Sequence, residues 1–179
     1  MTVDDYYAIS VLGDHKQLVD GAIVVHEPKP AHMWLQTRLV SALHIWTESG
    51  ETRGQAGTPT DIRLDDYNVF GPDVLWFAAG HEPEDPYEYP DRVPDICVEI
   101  RSPGTWHHVL GKKRDAYERG GCPELWLVDD RARRVTVYRR SRPDAPRFDV
   151  ELELAAGDEL TSPQLPGFAL PLERLFRDL

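Results

Sequence analysis

Asp73, Glu99, Arg101 and Lys113 are the residues of this 179-residue chain whose types and spacing could do chemistry together. Glu99 lies within "VPDICVEIRSPGT", residues 93 to 105, whose apolar alternation predicts a strand. Ile96, Val98 and Ile100 would share one face; Asp95, Cys97, Glu99 and Arg101 would share the other. Asp73 stands where the turn "GPD" enters the apolar segment "VLWF". A carboxylate in a half-buried strand is unfavourable unless it is paired or binds a metal. Two of them on neighbouring strands could share one divalent cation. Mg²⁺ suits such a pair, because it takes oxygen ligands, binds through one or two carboxylates and keeps several waters. An ion of this kind lowers the pKa of a bound water and stabilises charge growing on a phosphate. A nearby lysine would orient that water or neutralise the phosphate.

Each residue taken singly also has a structural role open to it. Glu99 could pair with Arg101 or Lys113 in a buried salt bridge, and Asp73 could cap backbone N–H groups of its turn. A carboxylate pair also serves glycoside hydrolysis, although no aromatic sugar platform is identifiable in the sequence. Asp95 lies about 13 Å from Glu99 along an extended strand. Both cannot bind one ion directly, so Asp95 reads as structural or rim, with an outer-shell role as the alternative.

The elements that must position these residues follow from pattern. Residues 3 to 11 predict a short helix, and "KQLVDGAIVVHEP" predicts two strands around an Asp20-Gly21 turn. Met33, Leu35, Leu39, Leu43 and Trp46 have roughly helical spacing, with Pro30 near the start. "TDIRLDDYNVF" predicts a strand, "VLWFAAG" another, and the Pro- and acid-rich residues 80 to 93 a loop. A helix is expected over 107–119, capped by Ser102 or Thr105 and ended by Gly120-Gly121. "PELWLVDD", "RRVTVYRR" and "PRFDVELELA" predict three further strands before the tail "LPGFALPLERLF". The mixture points to one α+β domain, a mixed sheet backed by the 31–48 and 107–119 helices. Trp34, Trp46, Trp76 and Trp126 read as core or interface aromatics. His32 and His44 read as satisfied helix residues; His107 and His108 point about 100° apart on a helix and cannot readily chelate one ion.

Composition bounds the partners. The length fits one domain with a real core. No apolar run is long enough to span a bilayer, and the acidic N-terminus lacks a signal-peptide pattern. Cys97 and Cys122 show neither metal spacing nor a disulfide framework, so a reduced, cytoplasmic setting is expected. The net charge of −11 opposes non-specific binding to a polyanion. The charge is uneven, however. Residues 101 to 147 carry 12 of the 20 Lys and Arg and 6 of the 31 Asp and Glu, a local +6 against −17 elsewhere. That segment reads as a basic solvated surface, or as a side facing phosphates.

"GPDVLWF", "VPDICVEIRSPGT", "GKKRDAYERGGCPELWLVDDRARRVTVYRR" and "LPGFALPLERLF", in that order, resemble the Uma-type restriction endonuclease family of the PD-(D/E)xK nuclease superfamily. "LVDGAIVVHEPKPAHMWLQTRLVSAL" fits that family's opening hairpin and helix, so the resemblance spans nearly the whole chain. It implies a restriction-endonuclease-like core and a homodimer that hydrolyses DNA with Mg²⁺, or Mn²⁺ in its place. Asp73 and Glu99 would be metal ligands, the Ile100 backbone carbonyl a third, and Lys113 the catalytic lysine. The superfamily's usual lysine position is taken by Arg101, and Lys113, four residues before Tyr117, replaces it on one helix face; Lys112 points elsewhere.

Gln17 stands where many relatives carry a glutamate, Val109 where many carry an aspartate, and "WHH" at 106 to 108 replaces a more basic stretch. These departures, with Arg101 free to compete for Glu99, leave room for one metal rather than two. They also motivate an alternative: a weakened or inactive nuclease fold kept as a binding or assembly module.

Overall fold

The computed structural model describes residues 1–9, 16–25, 28–101 and 109–179, the side chains of 109 and 110 excepted. In chain order its elements are α1 (Val3–Ile9), β1 (Lys16–Val19), β2 (Ala22–Val25), α2 (Pro30–Glu48), β3 (Gln55–Gly57), β4 (Ile62–Asp65), β5 (Asn68–Phe70), β6 (Val74–Phe77) and β7 (Ile96–Ile100). A π-helical turn (Val109–Lys113) and α3 (Arg114–Arg119) follow, then β8 (Glu124–Asp129), β9 (Arg134–Arg139), β10 (Val150–Leu154), β11 (Glu159–Leu160), β12 (Leu170–Pro171) and α4 (Leu172–Leu175). The expected caps Ser102 and Thr105, together with Trp106, His107 and His108 and the side chain of Val109, lie outside the described residues.

Six strands in the order β10-β9-β8-β7-β6-β3 form the main sheet. Its pairings are antiparallel except between β7 and β8. A parallel pair needs a crossover connection, and α3 lies in that connection. Alternation along β7 divides the core as the sequence predicts. Ile96, Val98 and Ile100 pack with Leu35, Leu39, Leu43 and Trp46 of α2 and with the C-terminal tail. Cys97 packs with Ala116 and Tyr117 of α3, and with Leu125 and Leu127 of β8. The two helices therefore cover opposite faces, and every residue of β7 is buried. Glu99 thus stands in a fully buried strand, not in a half-buried one.

Asp20 and Gly21 turn the first hairpin with φ of 47° and 74°. Both are left-handed, as a tight two-residue hairpin turn requires. The hairpin joins a second sheet, β2-β1-β5-β4. There "TDIRLDDYNVF" departs from the single strand expected of it and makes the β4–β5 hairpin. The cause is local: Asp65 Oδ1 accepts from the Tyr67 amide at 2.8 Å and from Asn68 Nδ2 at 2.9 Å. Side chains of this type reverse a chain by capturing backbone donors two residues on.

Helix α2 also corrects the sequence reading. Its buried stripe is His32, Leu35, Leu39, Leu43 and Trp46, whereas Met33 is 51 % and Trp34 53 % exposed. Steps of three and four keep residues on one helical face, while a step of two, from Met33 to Leu35, rotates by about 200°. Trp46, Trp76 and Trp126 are buried as expected.

Candidate active site

The β6–β7 register, Trp76 with Ile96 through Val74 with Val98, runs out at the site. One residue further, Asp73 stands across from Glu99, on strands whose paired Cα atoms are about 5 Å apart. There the Asp73 side chain replaces the ladder: its Oδ2 accepts the Ile100 amide at 2.6 Å. A residue's N–H and C=O project from the same edge of a strand, so the Ile100 carbonyl faces the Asp73 side of β7. Asp73 is 7 % exposed. Helix α2 grips it from the other face. His32 Nε2 lies 3.2 Å from Oδ1, and Gln36 Nε2 donates to the Asp73 carbonyl at 2.8 Å.

Glu99 is 3 % exposed. Lys113 Nζ donates to both its oxygens at 2.8 Å, and the Tyr117 hydroxyl donates to Oε1 at 2.7 Å. Both donors come from one helical segment, four residues apart, as their spacing predicts. Phe70 backs the ammonium, its ring centroid 5.2 Å from Nζ, within cation–π range. Burial raises the Glu99 pKa above its ordinary value; Lys113, through its charge and its hydrogen bond, and Tyr117 oppose the shift, and the Asp73 charge adds to it. Burial also pushes the Tyr117 phenol well above its usual range, with Glu99 adding to the effect. Tyr117 therefore remains a proton donor to Glu99 at any ordinary pH.

Other residues singled out by sequence fall outside this cluster. Arg101 forms a two-point pair with Asp129, Nη1 to Oδ1 at 2.9 Å and to Oδ2 at 2.8 Å. The expected competition of Arg101 for Glu99 gives way to this contact, because the parallel register that sets Ile100 beside Val128 brings Asp129 alongside position 101. Lys112 pairs with Asp20 at 2.9 Å and points away, as expected. Gln17 donates from Nε2 to the Gly71 carbonyl at 3.0 Å, bracing the turn just before Asp73. Asp95 accepts the Ala78 amide at 2.8 Å and contacts His81 Nδ1 at 2.9 Å. His32 is the residue that sequence reasoning missed. Its signal was phase, since the stripe runs through 32 and not 33.

The donor set suits a small oxygen-preferring dication. Two carboxylates and one carbonyl lie along the β6–β7 edge, Asp73 across from Glu99 by the strand register. Among the described residues no group of three or more His, Cys, Asp or Glu is arranged to hold a metal. An ion held by two carboxylates and one carbonyl would take its remaining ligands from water, as Mg²⁺ prefers. Lys113 supplies the positive charge that a dication would bring to Glu99. Among the described residues no helix is long and apolar enough to cross a membrane.

The fold itself is a known one. The chain is similar to a solved structure from Anabaena variabilis, described as a "putative nuclease belonging to DUF820", with a TM-score of 0.82 and 18 % identity over 98 % of this chain and 97 % of that one. A search of the curated proteins finds no match. The family Uma2, described as "Putative restriction endonuclease", matches residues 3–173, and the chain belongs to that family.

Proposed function

We propose that the protein is an Mg²⁺-dependent endonuclease that hydrolyses phosphodiester bonds in DNA, with Mn²⁺ as an effective substitute. The observation that supports this reading is the β6–β7 register, which sets Asp73 across from Glu99, with Lys113 on both Glu99 oxygens. When bound, the dication supplies Lewis acidity to the phosphate and acidifies its water. Asp73, Glu99 and the Ile100 carbonyl would hold it. Lys113 contributes its ammonium to the anionic phosphate, leaving the Glu99 oxygens as it does so. Tyr117 keeps its hydroxyl on Oε1 and holds the carboxylate in place. The family resemblance supports a homodimer, able to address both strands of a duplex, and the two free buried cysteines support a reducing, cytoplasmic setting.

Incubation of supercoiled plasmid with the purified protein and Mg²⁺ or Mn²⁺ tests the reading. Nicked or linear product is expected from the wild type and none from Glu99→Ala. An inert wild type, with no calorimetric metal binding that Glu99→Ala abolishes, would overturn it.

One observation favours a second reading, an inactive nuclease fold kept as a binding or assembly module. Glu99 is already neutralised at both oxygens by Lys113, and Gln17, in the place of an acidic auxiliary, is committed to Gly71. Crystals soaked in Mn²⁺ discriminate: a difference peak between Asp73 and Glu99 supports the enzyme, and an unchanged Lys113–Glu99 pair supports the module.

A further inference from the structure

Helix α2 reaches Asp73 twice. His32 Nε2 lies 3.2 Å from Oδ1, and Gln36, one turn later, donates to the backbone carbonyl at 2.8 Å. With the Ile100 amide 2.6 Å from Oδ2, contacts reach both carboxylate oxygens and the main chain. His32 is 5 % exposed and heads a stripe continued by Leu35, Leu39, Leu43 and Trp46. A leucine would serve the packing of that stripe as well. Burying an imidazole there instead is unfavourable unless polar groups face its nitrogens, and Asp73 faces Nε2.

We propose that His32 is a positioning residue of the nuclease site, with Gln36 as its support. Together they fix the Asp73 carboxylate in the orientation that meets the same dication as Glu99. The inference rests on the reading of Asp73 as a ligand. Its physical content is preorganisation: a carboxylate already held at its second oxygen and its backbone has little torsional freedom left to lose on binding. Groups of this kind behind a metal ligand typically contribute about 10- to 100-fold in metal affinity or activity.

Calorimetry of Mn²⁺ binding without DNA, on the full chain, tests the proposal apart from catalysis. His32→Leu is expected to weaken Mn²⁺ binding by about tenfold or more, with plasmid cleavage falling in step. His32→Gln, whose amide nitrogen can reach Asp73 Oδ1, is expected to return affinity to near the wild-type value. Mg²⁺ and Ni²⁺ should weaken by the same factor as Mn²⁺. A loss confined to Ni²⁺ would overturn positioning in favour of direct ligation, because a nitrogen ligand favours Ni²⁺ over Mg²⁺.

Wild-type affinity in a folded His32→Leu protein also overturns the proposal and leaves the nuclease reading intact. Where that variant lacks a cooperative melt, Gln36→Leu carries the test: weakened Mn²⁺ binding supports the clamp, and unchanged binding refutes it. A wild-type protein that binds no dication and cuts no DNA overturns both readings together.

Discussion

Lys113 and Glu99 form a two-point ion pair inside the protein, with Nζ 2.8 Å from each carboxylate oxygen and the two side chains 7 % and 4 % exposed. Removing one member of a buried pair strands the other charge and typically destabilises by about 3–5 kcal/mol. Exchanging both for apolar groups is often neutral or stabilising. Lys113→Met should therefore lower urea-unfolding stability by about 3–5 kcal/mol at neutral pH, leaving Glu99 buried beside Asp73 without its cation. Adding Glu99→Leu to that variant should restore most of the loss. An additive double variant would show that the two residues do not form the pair described.

Metal affinity and catalysis should separate at Lys113. Without the ammonium, the Glu99 oxygens lose their competing cation, so Mn²⁺ should raise the melting temperature of Lys113→Met more than that of the wild type. Cleavage should nevertheless fall by about 10²-fold or more, the usual loss when one donor to a developing anion is removed. Equal thermal shifts in the two proteins would argue that Lys113 and the metal do not share Glu99.

Arg101 tests whether the superfamily's usual lysine position matters in this chain. Its pair with Asp129 is partly exposed, 31 % and 17 %, and pairs of this kind contribute about 0–1 kcal/mol. Arg101→Ala is expected to unfold at nearly wild-type urea concentration and to cut plasmid at a rate close to the wild type. A loss as deep as that of Lys113→Met would move the catalytic lysine's role to position 101.

The Glu99 carboxyl titrates above its ordinary value of 4.5, chiefly because it is buried. The folded protein then holds that proton more tightly than the unfolded chain does. The resulting stabilisation is complete below the ordinary value and is lost as pH rises through the raised one. Wild-type stability relative to Glu99→Gln should therefore decline as pH climbs from 4.5. A difference that is flat across this range, or that widens in favour of the wild type, would contradict the burial argument.

Much of this architecture is legible in the chain. The alternation in "ICVEI" assigns each side chain of β7 to its correct face. The Asp20-Gly21 turn, the long helix and the three strands after residue 123 also follow from pattern. Lys113 and Tyr117 meet on Glu99 because four residues return a helix to the same side. What pattern missed depends on neighbours distant in sequence. Arg101 finds Asp129 only because β8 runs parallel to β7, and no local signal specifies strand direction. His32 became visible as a site neighbour only once α2 was laid against β6. Met33 could stand in for it in the sequence because both are compatible with a helix start.

The β7–β8 junction is the parallel pairing among the described residues, and it has a bearing beyond architecture. Were β8 to run the other way, its opening acid, Glu124, would come abreast of position 101 in place of Asp129. The guanidinium would exchange its two-toothed partner Asp129 for Glu124, whose oxygens already accept from Trp126 and Ser162. The heading of a single strand thus determines which acid meets Arg101, a selection made by topology before any side chain at the centre is chosen.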